Sequence, residues 1–340
     1  MMKDLIKQLC GLNGVSGREG GISEYIIEQI KDYAEVSVDA VGNIIAFKKG
    51  KRSTEKRIMI DAHIDEVGFI ITMVDEQGMC KFSTVGGIDT SVICGKRVLI
   101  NDSVVGVISS KPVHILDEQQ RRKMPKLDEL YIDIGAKSRR EASQYVKAGD
   151  VAVFDTGFYE CGGLMIGKAL DDRVGCAVLI KLIRQESEYD FYATFTVQEE
   201  VGLRGAKVAA YNVAPDSAII LEATTAADIA GVSAEEAVCR VGSGVVVSFM
   251  DKATLYDRGY YDMAFEVAQK NNIKCQPKAA VAGGNNAGAV HSSGVGVRTV
   301  ALSVPCRYIH SQACAAAYED VEALYELARA MLEEMAEKDD

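Results

Sequence analysis

Residues 57–71 read Arg57-Ile58-Met59-Ile60-Asp61-Ala62-His63-Ile64-Asp65-Glu66-Val67-Gly68-Phe69-Ile70-Ile71. The run Ile58-Met59-Ile60 has the apolar continuity of a buried strand, and a histidine and a carboxylate two residues apart stand directly after it. A strand end holds side chains rigidly, so an imidazole there can be aimed at a metal while a nearby acid fixes or activates it. Taken alone, His63-x-Asp65 is also how an ordinary capped or surface histidine looks. What lies on either side of it gives it meaning.

Upstream, residues 20–34 carry Ile22, Tyr25, Ile26 and Ile30 at helical spacing, and Asn43 to Phe47 reads as a strand. Downstream, from Phe69 to about Gly162, short β-type runs alternate with Gly, Asp and Asn turns: residues 68–74, 97–100, 104–108, 131–134 and 151–154. Short, evenly spaced strands predict a β-rich barrel or sandwich. After Gly162 the pattern becomes helix and strand in alternation. Helices are expected from Asp172 to about Gln185, from near Gly205, and over Tyr260 to Lys270, with strands at Phe191–Val197, Ala218–Leu221 and Thr299–Val304. A long final helix carries Val321, Leu324, Leu327, Met331 and Leu332 on one face. Strands separated by helices of that length predict a layered α/β sheet. The fold expected is therefore α/β, a three-layer unit with a mixed central sheet (residues 1–68 plus 162–340), interrupted by an inserted β-rich, barrel-like unit (69–161).

Composition narrows the function. A chain of 340 residues buries a large core without staples. A net charge of −11 argues against nucleic-acid partners, which need clustered Lys and Arg to displace counterions, and local groups such as Arg121-Arg122-Lys123 do not change that. Nine cysteines, an odd number with no Cys-x-x-Cys pair, read as reduced and buried, as Cys94 and Cys176 do in their apolar context. Met1-Met2-Lys3-Asp4 leads into an amphipathic helix, and no apolar run approaches the roughly 20 residues needed to span a bilayer. The expectation is a cytoplasmic protein with no membrane contact.

Four further segments place acids or histidines where strands end or helices begin. Asp171-Asp172 opens a helix, an ordinary use of acids at a helix start and equally a place for a carboxylate that bridges metals. Glu199-Glu200 follows a strand expected to be interior, where paired acids are unfavourable unless a cation compensates them. Glu222 ends the apolar run Ala218 to Leu221, and His310 follows the strand ending at Val304. Each alone has a bland reading as a surface group or a satisfied histidine. In an open α/β sheet the carboxyl ends of the strands share one edge, where active sites collect. Two imidazoles with several carboxylates and no thiolate suit zinc, cobalt or manganese rather than a structural thiolate zinc. So many acids are most simply neutralised by a pair of ions, which together can generate hydroxide and polarise a carbonyl. The set reads as a hydrolase.

Gly14 to Glu19, Asp61 to Gly68, Ala169 to Gly175, Gln198 to Gly202, Gly283-Gly284 with Ala287 to Ala289, and Arg307 to Ser311 occur in an order that closely resembles the tetrahedral aminopeptidases. That family comprises glutamyl and deblocking aminopeptidases and includes proteins described as endoglucanases. The resemblance covers nearly the whole chain. It implies a dinuclear metallopeptidase that removes N-terminal residues from peptides through a metal-bound hydroxide, with two divalent ions per chain, zinc or cobalt, with manganese an alternative. It also implies that the inserted unit serves dimerisation and that dimers assemble into a dodecamer. Carried over residue by residue, His63 ligates one ion, Glu200 and His310 the other, and Asp171 bridges them. Glu199 is the general base and Asp65 orients His63.

Two positions depart from the family pattern. The remaining ligand is usually an aspartate, and Glu222 stands at the matching position; Asn286 stands where an acid is expected near the substrate amine. Asn286 and His291 are therefore taken as substrate-side residues, and His114 as substrate-side or structural. Three alternatives stay open: a metal-dependent amidase or carboxypeptidase acting on another acyl amide, a metal-binding homologue that has drifted from hydrolysis, and a glycosidase. Adjacent Glu199 and Glu200 argue against the last, because glycosidase carboxylates flank the scissile bond about 5 Å or more apart.

Overall fold

A computed structural model describes residues 2–338 apart from residue 234. The middle layer is an eleven-stranded mixed sheet. Its centre holds four parallel strands in the spatial order Phe191–Thr196, Ile58–His63, Ser217–Thr225 and Arg298–Arg307. These are nearly continuous runs of buried residues, as a parallel sheet covered on both faces requires. Antiparallel strands flank them: Ile44–Lys48 and Glu35–Val38 on one side, Cys314–Ala317, Leu164–Gly167 and Tyr159–Cys161 on the other.

Alternation along each strand sends side chains to two separate cores. Ile58, Ile60 and Ala62 pack with Ile219 and Leu221 under Leu170–Arg184 and Tyr318–Glu337. Met59 joins Ala218, Ile220 and Ala301 under Arg204–Val213 and Ala287–Val290. The register aligns Thr196 with His63 and Ile220 with Asp61, so the carboxyl ends of the central strands come out level. That shared edge is where the chemistry-bearing residues gather.

Between Ile58–His63 and Tyr159–Cys161 the chain leaves the sheet and closes an antiparallel barrel. Its six strands are Gly68–Val74, Cys80–Val85, Arg97–Ile100, Val104–Ser109, Tyr131–Asp133 and Val151–Phe154. It has a core of its own, in which Phe69 meets Phe82 and Phe154 edge to face at 5.4 and 5.2 Å.

Several boundaries differ from the sequence expectation, the strand expected at Thr299–Val304 among them, which runs over Arg298–Arg307. The strand expected at Arg57–Ile60 continues to His63, and that expected at Ala218–Leu221 continues to Thr225, so His63 and Glu222 lie within strands rather than after them. An apolar run stops at the first polar residue, whereas ladder pairing to neighbours on both sides carries on. Tyr159–Cys161, included in the expected insert, pairs with Leu164–Gly167 in the large sheet, so strand pairing confines the barrel to Gly68–Phe154. Among the described residues no helix is long and apolar enough to cross a membrane.

Candidate metal centre

His63, the last residue of its strand, is 1% exposed. Its Nδ1 lies 3.1 Å from the carbonyl oxygen of Asp65 and 3.4 Å from the Asp65 carboxylate. Donation from Nδ1 leaves Nε2 facing the interior of the site. There Nε2 stands 3.3 Å from Asp171 Oδ1 and 3.4 Å from Glu222 Oε1. His310 repeats the arrangement from the other side. Its Nδ1 is 2.9 Å from the carbonyl of Gly87, in the turn after the barrel strand Cys80–Val85, and its Nε2 is 3.2 Å from Glu200 Oε2 and 3.5 Å from Asp171 Oδ2. Asp171 therefore offers one oxygen to each imidazole.

The acids are held by backbone that departs from regular geometry. Asp171 and Asp172 have non-helical dihedrals at the start of Leu170–Arg184, and the peptide between them is cis. Ala169, Gln198, Leu203, Tyr308 and His310 have φ between +54° and +61°. Left-handed conformation is unfavourable by about 1 kcal/mol or more for each such residue, and clusters of it mark functional sites. Asp65 ties these segments together. Its carboxylate accepts from Ser16 Oγ at 2.6 Å and from the backbone N–H groups of Glu199 at 2.9 Å and Glu200 at 3.2 Å. Gly175 donates its N–H to Asp172 Oδ1 at 2.9 Å, and a Cβ at Gly175 would come within 2.4 Å of that carboxylate.

Electrostatics show what this arrangement lacks. Burial, together with the neighbouring acids Glu200 and Asp171, lifts the Glu199 carboxyl to about 8, and burial is also the main cause that raises Glu200 and takes Glu222 and Asp172 far above the usual carboxylate range. Burial disfavours charge on the imidazoles too, but the hydrogen bonds His310 donates to Asp171 and Glu200 outweigh it and raise His310 to about 11. Asp171, contacted by both rings, is pulled well down despite its burial. Each Nε2 is thus placed between two carboxylates, where only a proton or a metal cation makes the contact favourable. Three overlapping groups bring their ligand atoms within 4.8 Å of one another: His63, Asp171 and Glu222; Asp171, Glu200 and His310; His63, Glu199 and Glu200. An all-N/O donor set of this density fits divalent cations.

The site opens into a cavity of about 790 Å³. All of His63, Asp171, Glu199, Glu200, Glu222 and His310 line it, and buried Asp65 stands behind. Asn286 and His291 do not line it, nor does exposed His114. Asn286 is 1% exposed and donates to Asp61 Oδ2 and Thr196 Oγ1, each at 2.8 Å, while its neighbour Asn285 faces the cavity. Asn286, expected on the substrate side, thus faces the sheet at the N-terminus of the short helix Ala287–Val290, and Asn285 lines the cavity in its stead. His291 Nδ1 lies 2.8 Å from the carbonyl of Ala287, a local contact within the same turn. Sequence reasoning missed Gly87, which anchors His310, and Lys278, which lines the cavity. Neither belongs to a motif, and nothing local to them in the sequence announces a site.

Comparison with known proteins agrees with this geometry. The profile of the M42 glutamyl aminopeptidases matches residues 42–327. A putative aminopeptidase of Acetivibrio thermocellus is 40% identical over 323 residues, covering 94% of this chain and 95% of its own. The lysyl aminopeptidase of Pyrococcus furiosus is 32% identical, covering 99% and 98%. The TET1 peptidase of Pyrococcus horikoshii, described as assembling into a tetrahedron or a large octahedral shell, superposes with a TM-score of 0.85 at 34% identity, covering 97% and 99%.

Proposed function

The chain belongs to the M42 glutamyl aminopeptidase family, hydrolases of peptide bonds, and from that premise we propose that its acid-rich strand edge is a dinuclear metal centre. His63 and Glu222 would hold one ion, Glu200 and His310 the other, and Asp171 would be shared between them. The observation that carries this reading is that Asp171 belongs to two separate three-residue ligand groups, each with one histidine. Zinc or cobalt suits the donors, with manganese an alternative. Bound there, such cations supply Lewis acidity, which acidifies water and polarises a carbonyl.

The remaining work falls to the chain's own residues. Glu199, which lines the cavity beside His63 and Glu200, takes the proton from the attacking water and passes it to the leaving amine. Asp65 fixes His63 through its carbonyl and holds both glutamates at their backbone N–H groups, so it is a positioning residue. The walls of the cavity orient the substrate and limit access of bulk water. Glu222 in place of the usual aspartate is accommodated by its position within a strand, where Oε1 reaches His63 Nε2 at 3.4 Å.

We also assign the barrel to dimerisation and the chain to a homo-oligomer built from dimers into a dodecamer, on the likeness to the TET1 peptidase and the family resemblance. Nine free cysteines, of which Cys94 and Cys161 are exposed rather than buried as expected, support a reducing, cytoplasmic setting. The test is metal content by mass spectrometry together with release from a panel of amino-acyl amides, before and after chelation and after adding zinc or cobalt. Two ions per chain with release that is lost on chelation and restored by metal is the expected result. One ion, or release that survives chelation, overturns the dinuclear reading.

A further inference from the structure

Four successive backbone N–H groups in the segment that carries Glu199 and Glu200 are accepted by side chains. Val197 donates to Asn43 Oδ1 at 3.0 Å, Gln198 to Glu19 Oε1 at 3.2 Å, Glu199 to Asp65 Oδ1 at 2.9 Å and Glu200 to Asp65 Oδ2 at 3.2 Å. Asn43, Glu19 and Asp65 are all buried and come from distant parts of the chain. Gln198 has φ +56°, a left-handed conformation that persists only where its surroundings hold it. Of the three acceptors, Glu19 is the one that grips this residue.

Glu19 stands at the N-cap position of the helix Gly20–Ile30, where an acid ordinarily serves the helix's own first N–H groups. Its side chain makes no capping bond there. The oxygen that accepts from Gln198 also accepts from the N–H of Gly17 at 2.7 Å, so the arm is braced by its own loop. Ser16 of that loop donates to Asp65, which ties the loop to the second acceptor as well. An acid 7% exposed is unfavourable unless its bonds compensate it, and these bonds are spent on the active-site turn rather than on the helix.

We propose that Glu19 is a positioning residue for Glu199: it fixes left-handed Gln198 and thereby the direction from which the Glu199 carboxylate enters the cavity. The inference rests on the reading of Glu199 as general base. A reacting group misplaced by about 1 Å loses on the order of 10²-fold in rate, so a modest shift of this turn is enough to be measured.

The test uses the metal-loaded full chain and the amino-acyl amide it releases fastest. Glu19→Asp is one methylene too short to reach Gln198 and, as a good N-cap residue, turns back to its own helix. Its kcat should fall about tenfold or more, with KM within about twofold, metal content unchanged and the unfolding midpoint equal or higher. Glu19→Gln keeps the length of the arm and an oxygen acceptor, and should restore kcat to within about threefold of wild type. In a Glu199→Gln background Glu19→Asp should cost no further rate, because the group it positions is gone. Wild-type kcat in Glu19→Asp, a loss that recurs in full in the Glu199→Gln background, a loss of metal, or failure of this variant to fold each overturns the assignment and leaves the general-base reading standing. A Glu19→Gln variant as slow as Glu19→Asp overturns it too. Wild-type activity of Glu199→Gln alone sinks the general-base reading, and this inference with it.

Discussion

Two buried clusters of charge are threaded from the same stretches of chain, and they are finished in opposite ways. Asp65 and Asp171 serve the strand edge, while Glu66, Lys168 and Arg173, close to them in sequence, pair with one another. In the second cluster Lys168 Nζ sits 2.6 Å from Glu66, Arg173 Nη2 is 3.5 Å from the same carboxylate, and Arg173 Nη1 donates to the carbonyl of Leu9 at 2.7 Å. That acid is answered by cations the protein provides. At the strand edge Asp171, Glu200 and Glu222 have, among the described residues, two imidazoles as their ion-pair partners. A cluster that closes its own charge is structural, and one that leaves negative charge unmatched is built to receive a cation from outside.

Substitutions can break or sharpen this contrast. The largest effect is expected from Glu199→Gln, which removes a proton acceptor from the open cluster: kcat/KM should fall by about 10²–10⁴-fold with metal content and unfolding midpoint unchanged. Activity within a few-fold of wild type would show that another group moves the proton. Glu66→Ala strikes the closed cluster and strands two buried cations. It should remove about 3–5 kcal/mol of unfolding free energy in denaturant titrations, equally in metal-loaded and chelated protein. A loss seen only after chelation would mean that the two clusters are one unit. Gly175→Ala lies on the boundary, since its Cβ must push the Asp172 carboxylate, and an effect of about 1–3 kcal/mol is expected in the same titration.

The smallest effect concerns a third solution to the same problem. Asp320 is 1% exposed and accepts from the N–H groups of Gly242 and Gly244 at 2.7 Å each, with Lys274 acting on it only from a distance. Burial outweighs those bonds and lifts its carboxyl to about 6. The folded state then binds a proton that the unfolded state releases, so this group's contribution falls as pH rises from about 4 to about 6. Asp320→Asn should flatten the stability profile in that window, and an unchanged slope would assign it to other groups.

Much of this was legible in the chain before its structure. Apolar runs leading to His63, Glu199 and Glu222 announced strand ends, and the rule that these gather at one edge pointed to five metal-ligand candidates and Glu199 sharing one place. The barrel was legible from its short strands. What could not be read was whatever depends on packing across long separations. Glu66, Lys168 and Arg173 look like unremarkable charges in sequence, and only the fold makes them a triad. Asn286 stands in a motif that suggests substrate contact, yet its side chain bonds Asp61 and Thr196 while Asn285 lines the cavity. Lys278 is one lysine among many until the sheet carries it into the cavity wall.

The carbonyl of Gly87 grips the ring of His310 from across the gap between barrel and sheet. An embedded module of this kind is usually thought of as cargo that its host can exchange or trim. Here one peptide oxygen makes it a working part, so a loop swap or proteolytic nick near Gly86-Gly87 would let the imidazole swivel and disarm the enzyme while every residue of its reaction centre remained intact.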